Sequence, residues 1–281
     1  MKDKVITQEI VEEFSEHLKE EEKSKNTIEK YVRDVRSFAA FIGRAEVTKG
    51  AVIAYKNKLM SENYAPKSIN SMLASLNSLF VFLGWEECKI KSIKLQRQIF
   101  YPEDKELTKA EYLRLVDAAS KNGNKRLNLI LQTICATGIR VSELQYITVG
   151  AAKSGKATVS LKGKTRTILI VSKLQKKLLR YAAEQGIKSG AVFITKRGRP
   201  IDRTNIWREM KSLCSQARVN PQKVFPHNLR HLFARVFYGI EKDIAKLADI
   251  LGHSSIDTTR IYIISTGNEH RKKLETMRLT I

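Results

Sequence analysis

The chain is expected to be mainly α-helical, with a small antiparallel β-sheet, in two domains. Three observations carry this. Residues 1–85 hold four amphipathic stripes of helical period, each with its own start and stop signals. Residues 89–106 lose that period and alternate Lys89, Lys91, Lys94 and Arg97 with apolar residues. Further on, two β-branched runs, Ala157 to Leu161 and Arg166 to Val171, flank Lys162-Gly163-Lys164-Thr165, the pattern of a hairpin with a lysine-bearing turn. The expected layout is a four-helix bundle over 1–88, a basic linker over 89–106, and a mixed α+β domain over 107–281.

In the bundle, Thr7 caps a helix to about Glu22, striped by Ile10, Val11, Phe14 and Leu18. A second helix starts at Thr27 and ends at Gly43. Thr48 caps a third, and Pro66 opens a fourth that stops at Gly84. In the second domain, Thr108 and Glu111 form a capping box. Arg126 to Thr137 is a buried helix broken by Gly138, and Arg140 precedes a new helical start at Val141. After the hairpin come a short strand, Val192 to Ile194, and a basic turn with Arg197 and Arg199. Thr204 caps a helix to about Ala217, Pro226 leads into the next, and Asp243 to Leu251 is ended by Gly252. Ser254 or Ser255 starts a segment reaching Tyr262, and Asn268 to Met277 reads as a last helix.

The formal charge is +22, far beyond what solubility requires, so a polyanionic partner is expected, nucleic acid before membrane. No apolar run approaches the ~20 residues of a spanning helix, and no apolar segment follows Met1-Lys2-Asp3-Lys4 as in a signal peptide. Cys88, Cys135 and Cys214 are far apart and form no C-x-x-C pair, which fits reduced thiols and a cytoplasmic protein. Lys25, Arg33 and Lys67 of the bundle, Lys94 and Arg97 of the linker, and Arg197 and Arg199 are candidates for gripping phosphates. Scattered surface cations explain the same positions, and only the total charge favours DNA.

Three motifs carry the chemistry. They are Ala136-Thr137-Gly138-Ile139-Arg140-Val141-Ser142-Glu143-Leu144, then His227-Asn228-Leu229-Arg230-His231, then Leu251-Gly252-His253 with Tyr262 nine residues on. In this order and spacing the chain resembles the tyrosine site-specific recombinases, the phage-type integrases, over its whole length. No additional arm-binding domain is expected before the bundle, an organisation that resembles the simpler Xer-like or Cre-like architecture. The resemblance implies that the bundle binds a core DNA site and that residues 107–281 are catalytic.

It also implies a mechanism. Arg140 and Arg230 offer guanidinium forks to the non-bridging oxygens of a scissile phosphate. His227 and His253 add hydrogen bonds or move protons. Tyr262 attacks phosphorus and joins the DNA 3′ end. Lys162 protonates the leaving 5′-oxygen. The family hairpin usually reads G-K-G-x-K-x-R, whereas Leu161-Lys162-Gly163-Lys164-Thr165-Arg166 is one residue shorter, so Lys164 remains a second candidate. Glu143 orients Arg140 or supports a histidine, and His231 packs beside the site. No metal, ATP or other cofactor is required. Two protomers would bind inverted half-sites of double-stranded DNA and assemble as a homo-tetramer, or as a hetero-tetramer with a paralogue, with the last segment, Asn268 to Met277, docking on a neighbour.

The same residues admit other readings. His227, His231 and His253 could ligate zinc, but no H-E-x-x-H glutamate is present and Arg230 stands between two of them. A type IB topoisomerase-like enzyme would relax supercoils without exchanging sites. A non-cleaving architectural DNA-binding protein would form no covalent adduct.

Overall fold

The structure, a computed structural model, describes residues 4–95, 103–161, 164–195, 197–264, 271 and 274–277. The chain divides into two units, Met1–Arg97 and Gln98–Ile281.

Capping residues set the helices of the first unit. Thr7 caps α1 (Gln8–Glu20), accepting from the Ile10 amide. α2 (Lys25–Ile42) begins two residues before the expected Thr27, because the Ser24 side chain accepts from the Thr27 amide and serves as the cap. Thr48 caps α3 (Lys49–Ser61), and Pro66 occupies the first turn of α4 (Pro66–Phe82). The stripes of these helices, with Phe14, Leu18, Phe38, Tyr55, Leu73, Leu76 and Phe80, form one apolar core. Asp34 is the carboxylate buried beside it. It accepts from Lys30 Nζ at 2.6 Å and from Ser75 Oγ at 2.9 Å, which ties α2 to α4.

The second unit is built around α6. The Thr108–Glu111 capping box opens α5 (Lys109–Lys121). α6 (Lys125–Thr137) buries Leu127, Ile130, Leu131, Ile134 and also Thr133 and Thr137. Those two hydroxyls donate back to carbonyls one turn earlier, so no polar atom of theirs is left unsatisfied in the core. Gly138 ends α6, and a 3-10 segment, Val141–Tyr146, follows where an α-helical start was expected. α7 (Val149–Ser154), capped by Thr148, leads into the hairpin.

β1 (Lys156–Leu161) and β2 (Lys164–Leu169) pair antiparallel, with Val159 opposite Arg166 and Leu161 opposite Lys164. Lys164 and Thr165 therefore belong to the strand and not to the turn. Lys162 and Gly163 lie outside the described residues. α8 (Ser172–Glu184) follows, unanticipated from the sequence, and buries Leu174, Leu178, Tyr181 and Ala182. The expected strand Val192 to Ile194 is instead irregular, held by isolated bridges of Ala191 to Thr148 and Ile194 to Pro200. Val192 and Phe193 are apolar because they are buried in the core. The helix expected from Thr204 to Ala217 is two helices, α9 (Arg203–Ser212) and α10 (Cys214–Ala217), and its cap is Asp202. The Leu213 amide bonds to Met210 O, three residues back, and closes α9 there.

α11 (Pro226–Glu241) starts at Pro226 and packs on α6. α12 (Ile244–Leu251) runs between the Asp243 cap and Gly252. α13 (Ile256–Arg260) is capped by Ser255 and stops short of Tyr262, which lies in the next turn. Half of the expected helix Asn268 to Met277 falls outside the described residues, and its Leu274 and Met277 are exposed. Among the described residues, no helix is long and apolar enough to cross a membrane.

Candidate active site

The site forms where the end of α6, the start of α11 and the end of α12 converge. Gly138 makes the first approach. Its φ of +64° suits glycine, and a Cβ there would lie 2.4 Å from Phe233 Cδ1 of α11. The Gly138 carbonyl is thereby presented to Arg230.

Arg230 is 1% exposed. Its Nη1 donates to Gly138 O, and its Nη2 donates to Leu251 O at 2.7 Å. Nη2 also lies 2.9 Å from His253 Nε2. Its Nε is buried with no partner within hydrogen-bond distance, although the neighbouring Tyr262 phenol favours the charged form. Burial, then the like charge of Arg140, lowers the guanidinium pKa to about 10, so it stays charged at neutral pH.

A guanidinium only donates, so His253 Nε2 must accept and its proton sits on Nδ1. Nδ1 lies 2.8 Å from the hydroxyl of Thr259, which is buried. Burial and the cations Arg230, Arg140 and Arg166 lower the His253 pKa to about 4, so the ring is neutral near pH 7. His231 is buried and its Nε2 faces Ile261 O at 3.3 Å, and burial lowers its pKa to about 4 as well. His227 remains accessible at the surface, yet desolvation and the charges of Arg230, Arg140 and Arg203 lower its pKa too.

Tyr262 is 3% exposed and sits among these three imidazoles, with ring centroids 5.4, 5.2 and 5.5 Å from those of His227, His231 and His253. Its hydroxyl is 3.5 Å from His227 Nε2, at the limit of a hydrogen bond. The histidines surround a ring, and among the described residues no group of three or more His, Cys, Asp or Glu is placed to hold a metal ion.

Arg140 stands just before the 3-10 segment with its side chain 40% exposed. Glu143 holds it by both ends, accepting from the Arg140 amide at 2.8 Å and from Nη1 at 3.0 Å. Glu143 is buried, and its carboxylate accepts from Arg140 and from Arg166 Nη2. Burial would raise its pKa, but the Arg140 amide and the Arg166 and Arg140 guanidiniums outweigh it and hold the carboxylate below its usual range.

The fold thus gathers Arg140, Glu143, His227, Arg230, His231, His253 and Tyr262 within one chain. It does the same for Arg166 and Thr259, which the sequence reading left out of the site. Arg166 had a readable signal. It shares the inward parity of β2 with the buried Ile168, where a charged residue needs a partner. Lys162 lies outside the described residues. Of the candidate phosphate-gripping residues, Lys25, Arg33, Lys67, Lys94, Arg197 and Arg199 are exposed, and Arg97 lies outside the described residues.

Residues 105–269 match the phage integrase family, and residues 11–87 match the phage integrase N-terminal SAM-like domain. The tyrosine recombinase XerA of Pyrococcus horikoshii is 30% identical over 99% of this chain and 96% of its own length. A crystal structure of XerA recombinase, 25% identical, covers 98% of this chain and 100% of its own with a TM-score of 0.54. A lambda integrase tetramer bound to a Holliday junction, 17% identical, covers 90% of this chain and 76% of its own with a TM-score of 0.73, a likeness of fold. With both parts of the chain matched in order, and the match of the second spanning the clustered arginines, histidines and tyrosine, the chain belongs to the phage integrase family, the tyrosine recombinases.

Proposed function

We propose that this site-specific DNA recombinase cuts and rejoins DNA with Tyr262 as nucleophile. The observation that carries the reading is an excess of buried or half-buried cation around a tyrosine. Arg140, Arg166 and Arg230 converge there, and Glu143 is the carboxylate that pairs with two of them. A phosphodiester supplies the missing negative charge, which grows in the pentavalent transition state.

Each residue then has a task. Tyr262 Oη attacks phosphorus while its proton passes to neutral His227. The bond from phosphorus to the 5′-oxygen breaks, and Lys162, or Lys164 in its place, protonates that oxygen. Arg140 and Arg230 hold the non-bridging oxygens, and His253 keeps Arg230 in place while offering it no competing charge. The product is a 3′-phosphotyrosine and a free 5′-hydroxyl. A 5′-hydroxyl from another strand reverses the same steps, so neither ATP nor a metal enters the balance.

Residues 1–88 would grip the core site through Lys25, Arg33 and Lys67, the linker 89–106 would follow the backbone with Lys94 and Arg97, and Arg197 and Arg199 would hold flanking phosphates. The lambda integrase tetramer on a Holliday junction supports the same assembly here, on inverted half-sites, from one protein or from two paralogues. The test uses a DNA site recovered by binding selection and nicked so that cleavage traps the enzyme. The parent should form a covalent adduct and Tyr262→Phe none. An adduct that survives in Tyr262→Phe would assign the nucleophile elsewhere.

A further inference from the structure

A buried threonine joins the segments that carry His253 and Tyr262. Thr259 lies in α13 and is 0% exposed. Its hydroxyl is 2.8 Å from His253 Nδ1, and its carbonyl accepts from the Tyr262 amide at 3.0 Å. The first contact belongs to the side chain and the second to the backbone. A substitution can therefore remove one and keep the other.

The side-chain contact has a fixed direction. Arg230 Nη2 stands 2.9 Å from His253 Nε2 and has only protons to offer, so that nitrogen presents its lone pair. The ring is neutral, and its one proton is donated from Nδ1 to Thr259 Oγ1. The opposite tautomer would set N–H against N–H at Arg230. The two protons of Arg230 Nη2 go to Leu251 O and to His253 Nε2, which holds that end of the guanidinium plane. Valine at position 259 would leave the Nδ1 proton buried without this acceptor. The ring would then turn or change tautomer, and either move takes the Nε2 lone pair from Arg230.

We propose that Thr259 is a positioning residue of the cleavage step. It holds His253 in the tautomer that orients Arg230, and it sets that ring and the Tyr262 segment in one frame. This rests on the reading above, in which Tyr262 attacks and Arg230 holds the phosphate.

The experiment follows covalent adduct formation on the nicked substrate. Thr259→Val keeps the volume and the backbone bond and removes the acceptor. It should slow adduct formation about tenfold, the lower end for loss of an orienting partner of an imidazole, while Thr259→Ser stays within about threefold of the parent. In a His253→Ala background Thr259→Val should cost less than about twofold, because the ring through which it acts is gone. A Thr259→Val chain as fast as the parent would overturn the proposal, and so would a loss of the same size without the ring. Thr259→Ser as slow as Thr259→Val would overturn it too, because the hydroxyl would then not be what counts. If Thr259→Val does not fold, the ratio of Thr259→Ser to Thr259→Ala reads the hydroxyl in its place. If His253→Ala forms too little adduct to measure, nitrogen-15 shifts of the His253 ring decide. The proton should sit on Nδ1 in the parent and be shared between both nitrogens in Thr259→Val, and one tautomer in both chains would overturn the proposal. A parent chain that forms no adduct would instead overturn the reading of Tyr262 on which this rests.

Discussion

The two units bury charge in opposite ways. In the first, Asp34 is buried and its neighbours answer it. Lys30 Nζ donates to Asp34 Oδ2, to Ser71 O and to Ser75 Oγ, which uses all three of its donors. In the second, Arg230 is buried against two carbonyls and a neutral imidazole, and has no carboxylate hydrogen-bond partner among the described residues. Nearby, Arg140 and Arg166 share the single carboxylate of Glu143. A balanced buried charge is a structural joint. An unbalanced one costs free energy until an anion arrives, and its persistence marks a binding site.

If that distinction is right, Arg230→Lys should show the largest effect. The charge remains, but a lysine cannot span Gly138 O and Leu251 O and also face a phosphate. DNA should still bind, while the rate of covalent adduct formation falls by about 10³-fold. An adduct rate near that of the parent would show that only the charge matters. Glu143→Gln comes next. It removes the carboxylate that anchors both Arg140 and Arg166, so both guanidiniums lose orientation while the net positive charge of the site rises. Adduct formation should fall about 10²-fold with DNA affinity kept or increased. If affinity fell with rate, Glu143 would be serving the fold more than the site.

Much of this was legible in the sequence because it depends on local chemistry. Thr48, Pro66, Thr108 and Gly138 act within one helical turn, so their roles follow from neighbours in the chain. The residues Arg140, His227, Arg230, His253 and Tyr262 were legible through their motifs, and the structure gathers them. Other features were not, for identifiable reasons. α8 has no capping side chain, since Val171 precedes it, and its apolar stripe is interleaved with Lys173, Lys176, Lys177 and Arg180. The start of α9 had two competent caps, and Asp202 prevails over Thr204 because its carboxylate accepts from the Asn205 amide at 2.8 Å. Arg166 shows its inward parity in the sequence, but its partners stay hidden because Glu143 and Ile250 are 23 and 84 residues away. The network of Lys30 is hidden for the same reason, since its acceptors Ser71 and Ser75 lie on another helix.

The comparison also has a pH signature. His231 and His253 of the second unit have pKa values lowered to about 4, mainly by burial, whereas the unfolded chain holds them near 6.5. The unfolded state therefore binds more protons between these values. The stability these rings contribute is complete above about pH 6.5 and is lost as pH falls toward 4. The first unit has one histidine, His17, and it is only partly buried. Thermal unfolding of the full chain from pH 7 to pH 4.5 should therefore show the second unit losing its midpoint first, and His231→Asn should flatten that slope. A parallel loss in both units would mean that carboxylate titration dominates instead.

The smallest effect on chemistry should come from the balanced site. Asp34→Asn keeps the shape of the side chain and removes its charge. Lys30 would then be left partly buried with two neutral acceptors, and the α2–α4 joint would weaken. The first unit should lose about 1–3 kcal/mol, the scale of a disturbed hydrogen-bonded charge, read as a lower denaturant midpoint for that unit. Under conditions where the variant is folded and saturated with DNA, its adduct rate should equal that of the parent. The salt dependence of DNA binding should also be unchanged, because an ammonium that already spends its three donors inside the bundle displaces no counterion from a phosphate. A shallower salt slope in Asp34→Asn would mean that Lys30 touches DNA after all. The balanced network would then be a device for aiming a cation, and the contrast between the two units would be one of degree.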